Sequence, residues 1–302
     1  MYISSIIYDF SYDGQAYHQL AVIDLKNGWN PVYDQTKIST LEDINLIINS
    51  YPKGIWFYQA AIYKATGYLE TSKFTNFALI LASFLLCYSA LTSLSKDQGN
   101  IRINGMFGTP LVMSIVVVAN PINVYQSLSF MIDSQVYSLF VCLVSILYFY
   151  HKSNKIVFAP LILNIILLLN TKFTGVLYTS LICLAFLLFT AMKNKPLFRK
   201  AFTLISIAYT LGIFYVGYNP YVTNLIQHGN AFYPVYGSKN LNIMYGQRPK
   251  HYDAMNRFEK LANSIFSASA NPVFSEESKI KLPFTIQPQE LAQFSGYDLR
   301  GY

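Results

Sequence analysis

Charge is what this 302-residue sequence has least of. Lys and Arg number 22 and Asp and Glu 15, together 12% of the chain, against 53% hydrophobic residues. A soluble domain carries about 25% charged residues, so an ordinary soluble fold is excluded and a polytopic membrane protein is the expectation. Cysteine is scarce as well. Cys87, Cys142 and Cys183 lie inside apolar runs with no paired spacing, which excludes a disulfide framework or a zinc site and leaves them as small buried hydrophobes. There is no internal repeat and no low-complexity linker. The opening residues, MYISSIIYDF, lack the basic flank and the apolar length of a signal peptide. The basic residues behind the net charge of +7 are dispersed, several of them in short gaps between apolar runs, a topology signal that excludes nucleic acid as the partner.

What is there is a series of apolar runs. Residues 74–94 (FTNFALILASFLLCYSALTSL) are free of charge and match the roughly 20 residues a helix needs to cross a bilayer. Further runs follow at about 106–119, 134–150, 156–169, 174–191 and 201–218, and Asn170, Thr171 and Lys172 interrupt the stretch between 156 and 191. Unbroken, that stretch would reach about 54 Å at about 1.5 Å per residue, well beyond a hydrocarbon core of about 30 Å. Lys96 and Arg102, Lys152 and Lys155, and Lys193, Lys195, Arg199 and Lys200 fall in alternate gaps. Under the positive-inside rule those three gaps are cytoplasmic, so the interrupted stretch is two helices. The expected fold is an all-α polytopic membrane protein with about six transmembrane helices. Residues 1–73 form an outer first loop, residues 74–218 the transmembrane core, and residues 219–302 an outer segment. Residues 40–50 and 55–68 have helical periodicity suited to interfacial helices, and a further helix is expected near 252–266. The end at DLRGY reads as a cut rather than a stop.

Acidic residues are the scarcest charge in the apolar region. Between Asp97 and Asp253 the one carboxylate is Asp133, in SLSFMID, whereas the first loop holds Asp9, Asp13, Asp24, Asp34, Glu42, Asp43 and Glu70. A carboxylate held at a membrane face is costly and points to function or pairing. Each candidate also has a plainer reading. Asp13 in YDGQAYH suits a turn ahead of Gly14, Asp133 a helix N-cap, His18 a packed imidazole, and Lys172 a side chain that snorkels to the interface. As a fixed cation, Lys172 would instead suit a lipid phosphate. His228, Arg248 and Lys250 belong to the outer segment as exposed residues, although HGNAFYP (228–234) combines turn formers and aromatics that would line a sugar site.

The order of these features resembles the GT-C superfamily of membrane glycosyltransferases. The resemblance is carried by YDFSYDGQAYHQLAVIDLKNGWNP (8–31), YPKGIWFYQAAIYKATGYLETSKFTNFAL (51–79), NPINVYQSLSFMID (120–133), NTKFTG (170–175) and NPYVTNLIQHGNAFYPVYG (219–237). It covers nearly the whole chain as order and spacing. It implies an inverting transfer of a sugar from a polyprenyl-phosphate-linked donor to a cell-envelope acceptor, at the outer face of a bacterial plasma membrane with both chain ends extracytoplasmic. Asp13 matches the superfamily's outer-loop general base, with Asp9 as its rival. His18, Asp133, Lys172, His228 and Arg248 are the substrate-binding candidates that follow. A divalent metal between Asp13, Asp133 and the donor phosphate is compatible with that chemistry. The helix that precedes the first loop in the superfamily is missing here, which reads as a fragment and an inactive form. The competing readings are a surface-polysaccharide polymerase or ligase, and a transporter or non-catalytic membrane protein. Paired arginines in a large outer loop would favour the first, and repeated halves with polar residues at mid-membrane the second.

Overall fold

A computed structural model describes residues 2–97, 108–153, 158–236, 252–266 and 282. Every regular element among them is helical. Four helices are long and apolar enough to cross a membrane: Leu69–Ser95, Asp133–Lys152, Phe173–Lys193 and Lys195–Val216. The runs expected at 106–119 and 156–169 are helical but shorter, Thr109–Val118 and Phe158–Thr171. With 10 and 14 residues they reach about 15 Å and about 21 Å. Residues 98–107 and 154–157, which lead into them, fall outside the described ones.

In chain order the helices are α1 (Tyr2–Ile6), α2 (Gln19–Lys26), α3 (Glu42–Ser50), α4 (Gly54–Thr66), α5 (Phe74–Asp97), α6 (Thr109–Val118), α7 (Pro121–Gln126), α8 (Asp133–Ser153), α9 (Phe158–Thr171), α10 (Phe173–Lys193), α11 (Lys195–Thr210), α12 (Thr223–His228) and α13 (Arg257–Phe266). Side-chain bonds fix how they run. Asn76, in the first turn of α5, accepts from Gln135 in the first turn of α8, and Asp133 pairs with Lys172 at the start of α10. At the far end, Lys152 of α8 donates to Ser93 of α5 at 2.5 Å. Thus α5, α8 and α10 run parallel, and the connections containing α6 and α9 must return the chain to the Asp133 end. α11 returns as well, and four of the helices in this bundle are long and apolar enough to cross a membrane.

The core of the bundle is built by Leu139, Leu143 and Ile146 of α8, Leu161, Ile165 and Leu168 of α9, and Cys183, Ile205 and Ala208 around them. Among the four long helices α8 is the most enclosed, and α5 and α10 are the least. The faces of α5 and α10 turned away from it carry Leu81, Leu85, Leu177, Leu181, Leu184 and Leu188, all more than half exposed. In water such a band would drive association; in a bilayer it is the matching surface. At α9 and α10 the packing is close enough to need a missing side chain, because a Cβ on Gly175 would lie 2.2 Å from the Leu168 carbonyl oxygen.

A second, smaller core caps the Asp133 end. Ala21 and Val22 of α2, Ile48 of α3, Trp56 and Ala60 of α4 and Phe130 form it. The helices expected at 40–50 and 55–68 are therefore α3 and α4, each with one face buried in this cap; Phe57 and Tyr58 on the other face of α4 stay exposed. Near the end of the described chain, α13 presents Phe258, Leu261, Ile265 and Phe266 on one exposed stripe, the spacing of an amphipathic surface helix.

Candidate active site

The stretch YDGQAYH is built around its glycine. Asp13 opens a π-helical turn over Gly14–His18 that runs into α2, a wide turn of the kind often found at functional sites. The turn packs on Asp9, so that a Cβ on Gly14 would lie 2.0 Å from Asp9 Oδ2. Asp9 is 3% exposed, and both its oxygens are engaged: Oδ1 accepts from the Ser11 amide at 2.9 Å and Oδ2 from the Phe130 amide at 2.7 Å. This carboxylate ties the first loop to the turn that precedes α8. The buried ammonium of Lys73 makes a second tie, donating to the Ile7 carbonyl and pairing with Glu70 at 2.5 Å.

Asp13 is half-buried and accepts from the Tyr17 hydroxyl at 3.0 Å. The Tyr17 ring lies 4.2 Å, centroid to centroid, from His18. His18 is buried, and its Nδ1 accepts from the Trp56 indole N–H at 2.8 Å. In the neutral ring that bond leaves the proton on Nε2. Asp133 pairs with Lys172 and accepts from Gln126 at 3.5 Å. The pair stays open to solvent, with the lysine side chain 32% and the carboxylate 37% exposed. Lys172 stands in the break between α9 and α10 with an extended backbone, so its side chain leaves the helix axis and reaches α8. Asp13, Tyr17 and His18 thus form one contact series and Asp133 with Lys172 an ion pair, both at one end of the bundle, and Asp9 braces the first from behind.

The other candidates lie elsewhere. His228 ends α12, stacks on Tyr233 with ring centroids 3.7 Å apart, and borders a separate cleft. Arg248 and Lys250 lie outside the described residues. Among the described residues no three His, Cys, Asp or Glu side chains group as metal ligands. A divalent ion between Asp13 and Asp133 would find two carboxylates, one of them already facing Lys172.

Lys53 carries no signal in the sequence and proves central to the cap. It is 1% exposed, with Nζ donating to the Asn49 carbonyl at 2.9 Å, the Tyr51 carbonyl at 2.7 Å and Asn219 Oδ1 at 2.5 Å. Its Nζ lies 5.6 Å from the Trp29 ring centroid and 6.0 Å from that of Trp56. The three acceptors are uncharged, and burial pushes the pKa of Lys53 well below its usual 10.5. The unfolded chain then binds one proton more than the folded one between that lowered value and about 10.4, the pKa of a free lysine, so stability rises with pH across that window. Thermal midpoints of the detergent-solubilised chain between pH 7 and 10 are expected to climb, and Lys53→Met to flatten the climb. An unchanged slope in the variant would assign the effect to other groups.

Comparison with protein-family models, curated proteins and solved structures finds no match to this chain.

Proposed function

We propose that the chain is a membrane glycosyltransferase of GT-C type, working at the extracytoplasmic face of a plasma membrane with all six passes crossing. The 14-residue α9 would do so where the bilayer thins locally. One observation carries the reading. A half-buried carboxylate, Asp13, bonded to Tyr17, and a solvent-open cation, Lys172, paired with Asp133, lie at one end of an apolar bundle. A sugar carried on a polyprenyl phosphate presents its phosphate and anomeric carbon at that boundary while its tail stays in the hydrocarbon.

In the displacement, an acceptor hydroxyl oxygen attacks the anomeric carbon from the side opposite the phosphate. Its proton passes to Asp13, and the bond from the anomeric carbon to the phosphate oxygen breaks, leaving polyprenyl phosphate and an inverted glycoside. Lys172 faces the charge that grows on the departing phosphate, where a fixed cation stabilises the transition state more than the ground state. Asp133 holds the ammonium at the break between α9 and α10. Asp9 is buried and bonded to two backbone amides, whereas Asp13 is half-buried, which favours Asp13 as base. The acceptor is a glycan, lipid or protein of the cell envelope.

The test is Lys172→Met in the full chain reconstituted with polyprenyl-phosphate-linked sugars. Loss of one fixed donor at a developing charge costs about 10²–10³ in rate. Transfer should fall by that order while the donor still partitions into the membrane. A variant as fast as the parent would remove the ion pair from the mechanism.

A further inference from the structure

We infer that the cleft between residues 31–50 and α12 is a binding site for a neutral, polyhydroxylated ligand, the glycan acceptor of the transfer proposed above, on which this inference rests. The cleft has a volume of about 500 Å³, within the range of about 300–1,000 Å³ usual for ligand sites. Its walls come from chain segments far apart in sequence, and asparagines staple them together. Asn219 Nδ2 donates to the Pro31 carbonyl at 2.8 Å across 188 residues, and Asn224 Nδ2 donates to the Ser50 carbonyl at 3.0 Å across 174. Asn49 clasps Thr36 from within the first segment, accepting from its amide at 2.8 Å and donating to its carbonyl at 3.1 Å. Four amide bonds spent on the walls make a preformed site, in which a ligand loses little to ordering the protein.

The lining defines the chemistry. Lys37 is its one Lys or Arg, set against Asp34 and Glu42, so the cleft offers no cradle for a phosphate. Apart from Pro31, Val32 and Leu46 the lining is polar or aromatic, a poor match for a hydrocarbon tail. What remains is a ring of amides, hydroxyls and carboxylates that can both donate and accept, as sugar hydroxyls require, and the ring of Tyr33, which is 83% exposed. An exposed aromatic face among polar groups suits the apolar C–H face of a sugar ring. Donor and acceptor are thereby divided by chemistry: anionic lipid phosphate to Lys172, neutral glycan to the cleft. The cleft borders the same cap as His18: Asn219 in its wall accepts from Lys53, whose Nζ lies 6.0 Å from the Trp56 ring centroid, and Trp56 bonds His18.

The test is binding by the full chain in nanodiscs to an array of neutral oligosaccharides, with acidic oligosaccharides and anionic vesicles beside them. Saturable binding of neutral oligosaccharides is expected, weakened at least ten-fold by Tyr33→Ala together with Gln227→Ala, two exposed positions whose replacement leaves the staples intact. No saturable neutral binding, equal binding by the double variant, or a preference for acidic glycans or anionic vesicles would overturn the inference. Neutral binding with no transfer from any lipid-linked donor would uphold the cleft and overturn the transferase reading instead.

Discussion

Asparagine in place of Asp13 is expected to lower sugar transfer by roughly 10²–10⁴-fold, the range a positioned general base supplies. The substitution conserves shape, and the asparagine carbonyl can still accept from the Tyr17 hydroxyl that Asp13 engages at 3.0 Å. Gly14, the π-helical turn and the Asp9 ties are left in place, so abundance and thermal stability should match the parent. Initial transfer rates in proteoliposomes, taken with a melting curve for the same sample, separate a lost base from a lost fold. A variant within two-fold of the parent rate would remove Asp13 from the chemistry.

Alanine in place of Gly175 is expected to act through the fold. The added carbon would sit 2.2 Å from the carbonyl oxygen of Leu168 and 3.2 Å from its carbonyl carbon, and both belong to helix backbone in a core where Leu168 is fully buried. A backbone cannot rotate aside as a side chain does, so α9 and α10 must separate. Overpacking of this kind typically costs about 1–3 kcal/mol and at times more; here the rigid partner favours the upper end. Gly175 lies three residues after Lys172, so the separation would also displace the ammonium from Asp133. A marked fall in the thermal midpoint in detergent, with transfer lost in parallel, is the expected result. An unchanged midpoint would show that the two helices can move apart freely.

Much of the architecture was legible in the sequence because its signals are local. Lys172 breaks the long apolar stretch, and the structure puts the break there, between Thr171 and Phe173. The pattern of 40–50 and 55–68 gave α3 and α4, and the stretch near 252–266 contains α13. The lengths of α6 and α9 were less legible, since a run of apolar residues does not state where its hydrogen-bonded helix begins.

The site was legible only in part, for the same reason. Asp133 stood out by its isolation and Asp13 by its place in YDGQAYH, yet nothing local distinguishes Asp9 from Asp13. What separates them is the Phe130 amide, 121 residues from Asp9. Lys53 reads as an ordinary loop lysine until Asn219, 166 residues away, closes over it. The π-helical turn likewise has no signature in a search for a 3.6-residue period. In each case the deciding partner is remote in sequence, and no pattern along the chain could name it.

The sheltered place of α8 gives the bundle two regimes of mutational tolerance. On α5 and α10 the leucines that face outward meet fluid lipid chains, which fill whatever shape is offered; there hydrophobicity is selected and outline is free to drift. On α8 most side chains meet fixed neighbours, so outline is selected there as stringently as in a water-soluble interior. The helix that presents Asp133 is therefore the one with the least freedom to vary.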